Sequence, residues 1–112
     1  MFRFENLEIW KQAREFNLII YGVTNTFPGS ERFCLVDQLR RASISIVLNI
    51  AEGSNRGSDP DFVRFLRIAQ SSLCEVVAGL YLAFDQGYLD KPKLDETNEL
   101  AFILSKKADC DY

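Results

Sequence analysis

A chain of 112 residues has room for one hydrophobic core, so a single domain spanning 1–112 is the expectation. Hydrophobic residues make up 47% and charged residues 26%, which is the composition of a folded globule and not of a disordered segment. The chain contains no histidine, which excludes Ser-His-Asp and Cys-His triads and histidine-bound metals. Three cysteines without CxxC spacing suggest neither a zinc site nor a disulfide framework. Cys34 and Cys74 are expected to be small buried hydrophobes. The net charge of −3 is unevenly spread: residues 1–67 hold nine Lys/Arg against eight Asp/Glu, and residues 68–112 hold four against eight. An acidic chain argues against a nucleic-acid module that works by charge alone, although a local arginine face stays open. The opening MFRFENLEIW is charged where a signal peptide would be apolar, and no window approaches eighteen consecutive apolar residues. A cytoplasmic protein with no membrane span is expected.

In chain order, Ile9, Ala13, Phe16, Ile20, Val23 and Phe27 recur at steps of three and four, which predicts an amphipathic helix over about 5–26. Pro28-Gly29 ends it. Ser30 then offers an N-cap with Glu31 in the first turn, and a second helix is expected over 31–55. Its middle, SISIVLNIA, has a strand-like β-branched content, but the spacing Leu35, Leu39, Ala42, Ile46, Ile50 keeps helical period straight through it. This helix is apolar on more than one side and has to be covered on more than one side. In so small a chain, a second copy is the simplest cover.

Ser58-Asp59-Pro60-Asp61 combines a cap with an early proline and starts a third helix over 60–86. Its inward face is expected to carry Phe62, Phe65, Leu66, Ala69, Leu73, Val76, Val77, Leu80 and Phe84. Gly87 suits a left-handed helix stop, with Tyr88 or Leu89 folding back over it. A fourth helix follows over 92–107, with Leu94, Ala101 and Leu104 inward, and the last residues, ADCDY, are expected to fray. Four helices with short connections predict an all-α, up-down-up-down antiparallel four-helix bundle.

On the second helix, Gln38, Arg41, Ser45, Asn49, Glu52 and Arg56 fall on one polar stripe. It reads either as a solvated edge or as a hydrogen-bonded row that fixes how helices or subunits meet. In the second reading Glu52 and Arg56 form an i,i+4 ion pair. The loop GSNRGS matches no phosphate-cradling pattern and is explained by a tight turn.

The motif QLRRASISIVLNIAEG, residues 38–53, with FLRIAQSSLCE, residues 65–75, and the flanking LEIWKQA and LAFDQGYL, resembles the 23S rRNA-intervening sequence protein family. Val47 stands where that family usually has proline, so a straighter second helix is expected. The resemblance implies a homopentamer of four-helix bundles, with no enzymatic activity and no cofactor. It carries family motif positions onto Arg40, Arg41, Ser45, Asn49, Glu52, Gly53 and Ser72. More distantly the chain is similar to the accessory variability protein of diversity-generating retroelements, a basic branch that binds nucleic acid and a reverse transcriptase.

The leading functional expectation is a non-enzymatic oligomeric scaffold or adaptor. The alternative is an RNA- or nucleic-acid-binding accessory protein of a ribonucleoprotein, using Arg32, Arg40, Arg56, Arg64 and Arg67 as a phosphate-contacting surface repeated around a ring. Against it, Glu31, Asp37, Glu52, Asp59 and Asp61 are as numerous as these arginines and could pair with them. An enzyme built on buried carboxylates such as Glu52 and Glu75 would resemble di-iron bundles, but those need histidines that are missing here.

Overall fold

The computed structural model describes residues 1–110. The period of three and four becomes four α-helices: α1 (Glu8–Thr24), α2 (Leu35–Ser54), α3 (Asp59–Asp85) and α4 (Lys91–Cys110). Short 3-10 turns at Arg3–Asn6 and Gly29–Glu31 precede the first two, and no strand occurs among the described residues. Each helix packs against its two neighbours around a square, α1 on α2 and α4, and α3 on α2 and α4, while diagonal pairs stay apart. At 27 residues α3 runs about 40 Å, nearly the 44 Å long axis of the molecule.

Inward positions from all four helices form one core, including Ile9, Phe16, Ile20, Leu39, Ile46, Ile50, Phe62, Leu66, Leu80 and Leu94. Val77 and Phe84 are only partly buried and pack at its edge. The α2–α3 seam is the closest contact. A Cβ added at Gly53 would lie 2.6 Å from Phe65 Cβ, and one at Gly79 would lie 2.5 Å from Leu39 Cδ2. Both glycines therefore let the two helices approach where a larger residue would hold them apart.

Helix ends depart from expectation where distant contacts decide them. α1 is shorter than 5–26, because the 3-10 turn at Arg3–Asn6 occupies its expected start and Thr24 ends it. α2 begins at Leu35, not at residue 31, and Ser30 caps nothing. The Glu31 carboxylate instead accepts from Leu35 N at 3.4 Å and from the Tyr88 hydroxyl at 2.8 Å. The start of α3 follows the sequence reading, with Ser58 Oγ accepting from Asp61 N and Pro60 in the first turn. Its end is a Schellman stop: Gly87 has φ +78°, Tyr88 N donates to Ala83 O, and Gly87 N donates to Phe84 O.

Two further expectations are corrected. Residues 108–110 are helical and do not fray: Ala108 is buried, and Asp109 Oδ1 accepts from Arg67 at 3.0 Å and from Gln70 at 2.9 Å. The remainder of that stretch, residues 111–112, lies outside the described residues. Cys34 and Cys74 are exposed, not buried, because Cys34 stands in the turn before α2 and Cys74 on the outer side of α3. α2 passes through Val47 without a break, and Val47 packs against the core.

α3 is also the one described helix whose length and composition would suffice to cross a membrane. Here it is one corner of the square, packed on both α2 and α4.

Candidate functional site

The polar stripe divides into two rows once α2 is placed. On the side facing α3, Ser45 Oγ meets Ser72 Oγ at 2.8 Å, and Asn49 Nδ2 donates to Ser45 O at 2.8 Å and to its Oγ at 3.0 Å. Gln38 Nε2 donates to Glu75 on the same seam. Gln38 and Glu75 are exposed, while the half-buried Ser45, Asn49 and Ser72 satisfy one another, which is the condition for polar atoms to sit between helices at little cost. On the outward side, Arg41 pairs with Asp37 at 2.9 Å, and its side chain is 76% exposed. An exposed pair of this kind contributes little to stability.

Glu52 also faces outward and makes no ion pair among the described residues. The expected Glu52–Arg56 pair does not form. α2 stops at Ser54, so Arg56 leaves the helical face and its guanidinium lies 5.0 Å from the centroid of the Phe65 ring.

Between these rows and α1, α2 presents Ile44 at 36% exposure and Leu48 at 61%, one turn apart. The rest of the bundle covers Ile44 in part and leaves most of Leu48 open. Two other helix pairs have an open apolar seam: α1 with α4, lined by Phe16, Ile19, Leu100, Ile103 and Leu104, and α3 with α4. In the latter a groove of about 300 Å³ is lined by Leu73, Val77, Tyr81, Ala101 and Phe102, with Phe102 57% exposed. Asn98 Oδ1 in that groove is buried without a hydrogen-bond partner.

The arginines proposed for nucleic acid do not form one surface. Arg40 is tied to the end of α1, donating to Thr24 Oγ1 at 2.9 Å and Asn25 Oδ1 at 2.9 Å, with its guanidinium 4.3 Å from the Tyr21 ring centroid. A cation there also suits the carboxyl end of a helix. Arg32 stacks on exposed Phe33 before α2. Arg64 lies at the opposite end of the bundle, 3.6 Å from Asp61 and over Phe65. Arg67 bridges to Asp109. Among the described residues, Asp61 is the one of the expected acids in an ion pair with these five, while Asp37 holds Arg41 and Glu31 is taken by Tyr88.

Sequence reasoning missed the Arg40 latch, the Glu31–Tyr88 bond and the Asn17–Ser43 bond of 2.9 Å between α1 and α2. Each joins residues from different elements, and a periodicity argument carries no signal for such pairs.

The family model of the 23S rRNA-intervening sequence protein matches residues 5–109. The chain belongs to that family. A crystal structure of a protein of unknown function from the S23 ribosomal protein family of Bacteroides thetaiotaomicron is similar to it, with a TM-score of 0.81 and 23% identity over 89% of this chain and 94% of that one. At that identity the likeness shows the fold, an all-α four-helix bundle. No curated protein matches the chain.

The motif shared with the 23S rRNA-intervening sequence family now has a physical reading in this chain. Arg40 ties α2 to α1, Ser45 and Asn49 tie it to Ser72 on α3, and Gly53 admits Phe65. Arg41 and Glu52 are the two motif residues whose side chains these contacts leave on the outer face. Among the described residues, no group of three or more His, Cys, Asp or Glu is placed to hold a metal.

Proposed function

We propose that this member of the 23S rRNA-intervening sequence family is a non-enzymatic scaffold that works as a homo-oligomer. The observation that carries the reading is the outer face of α2, where Ile44 and Leu48 stand exposed beside a bundle whose core is already closed without them. Apolar side chains grouped on one face of a small protein mark an interaction surface more often than scattered ones do. The carboxylates considered for catalysis support the non-enzymatic part. Glu75 is engaged by Gln38, and Glu52 lies fourteen residues further along α2, about 21 Å along the helix. A pentamer is the number implied by the family resemblance. Sedimentation or light scattering at micromolar concentration tests the reading. The expected mass is about five times the 12.8 kDa of the chain, and a clean 12.8 kDa species would sink it.

A second reading, binding of RNA as an accessory protein, has one observation in its favour. At the α2–α3 turn, Arg56 and Arg64 both lie over Phe65 and Arg3 lies over Phe62, so three cations and two rings meet at one end of the bundle. Arg3 and Arg56 face no carboxylate within 4 Å among the described residues. Phosphate contact by such a cluster requires RNA affinity to fall steeply between low and moderate salt. Affinity insensitive to salt would remove it.

A further inference from the structure

Two of the open apolar surfaces, the outer face of α2 and the α3–α4 groove, stand at matching heights along the bundle. Heights can be compared through α3, because Ser45 on α2 meets Ser72 at 2.8 Å, and Gln70, two residues away, donates to Ser105 O on α4 at 3.2 Å. Position 45 of α2 is therefore level with about position 103 of α4. Since α2 and α4 are both antiparallel to α3, they run in the same direction and stay in step. Arg41 is level with Glu99, Ile44 with Phe102, and Leu48 with Lys106.

These level pairs are complementary. Arg41 is a cation whose pair with Asp37 leaves its side chain 76% exposed, and Glu99 is an anion that makes no ion pair among the described residues. Ile44 and Phe102 are both apolar and exposed. Lys106 lies with its amine 5.2 Å from the Phe102 ring centroid and makes no ion pair among the described residues. Its aliphatic stem suits Leu48, and its charge is one turn from the level of Glu52.

Resting on the oligomeric reading above, we propose that the outer face of α2 in one copy docks along the α3–α4 groove of the next. Arg41 then meets Glu99, and Ile44 and Leu48 meet Phe102 and the Lys106 stem. When bundles stand parallel around a cyclic axis, no sliding along that axis is allowed and α2 passes the neighbour's α4 in the same direction. Level matching between parallel helices is what such a contact requires. The corner at α2 and the side between α3 and α4 are neither the same surface nor opposite ones, so the contact is head-to-tail and successive copies turn.

Leu48→Lys and Phe102→Lys, both at exposed positions, test this by complementation. Each variant alone should remain a monomer under conditions where the parent assembles. Each retains one intact half of the contact, so an equimolar mixture should give a 1:1 complex of about twice the chain mass. An assembling parent whose two variants still assemble, or whose variants become monomeric but do not pair on mixing, overturns the docking and leaves the oligomeric reading standing. A monomeric parent overturns both. Independently, Arg41→Glu and Glu99→Arg should each weaken assembly and the double variant should restore it; no recovery in the double variant also counts against the docking.

Discussion

Gly53 shows how a single side chain sets the spacing of two helices. Its missing Cβ is matched by Phe65 Cβ, an atom fixed to the α3 backbone, whereas the space at Gly79 is filled by the end of the Leu39 side chain. Gly53→Ala is therefore expected to destabilise the protein by about 1–3 kcal/mol, as overpacking does. Gly79→Ala should cost less, because Leu39 can shift and alanine in a helix interior returns up to about 1 kcal/mol. Thermal melting decides between them, and equal midpoints for the two variants would contradict the argument. At this scale the sequence was legible in part. Ser45 and Asn49 could be placed on a stripe by counting. Their bond to Ser72 could not, and the Glu52–Arg56 pair failed because its spacing assumes a helix that in fact ends at Ser54.

The helices themselves followed their periodicity, and both ends of α3 followed the sequence, but the starts of α1 and α2 and the end of α4 did not. The start of α2 is governed by Glu31, held by a tyrosine 57 residues away. That bond, then partial burial and the carboxylate charge, raises the Tyr88 pKa above the ordinary tyrosine value. The end of α4 is governed by Asp109, whose pKa is lowered by the hydrogen bond from Gln70 and by Arg67. Because its folded-state pKa lies below its unfolded value, this contact contributes fully above the unfolded pKa and is lost as pH falls through the folded one. The last turn of α4 should lose helical backbone chemical shifts in acid before the rest of α4 does, and Asp109→Ala should show the loosened turn already at neutral pH. A last turn equally helical in parent and variant would refute this anchoring role. Sequence reasoning placed fraying over 108–112, and missed the order of 108–110 because its local signals see neither Arg67 nor Gln70.

For the whole molecule, the inward faces specified the bundle because each helix has one continuous apolar stripe, and four such stripes bury each other in a square. The surplus on α2 was also legible, as a helix with more apolar surface than one packing face can use. The groove that could receive it was not, because it needs Phe102 and Tyr81 side by side on helices whose register the sequence does not state. The charge asymmetry between the halves also lost its first meaning. Arg32 and Arg40 lie at one end of the bundle and Arg3, Arg56 and Arg64 at the other, and Arg40 is held by internal contacts.

The close α2–α3 seam also bears on the order of folding. The two helices are joined by only residues 55–58, and their tightest contacts, Gly53 with Phe65 and Gly79 with Leu39, bracket the whole length of the pair. Closing so short a loop costs little chain entropy, so this hairpin is the part of the molecule able to form before α1 and α4 dock. The strain introduced by Gly53→Ala should then be felt early, as slower refolding in a stopped-flow experiment rather than as faster unfolding.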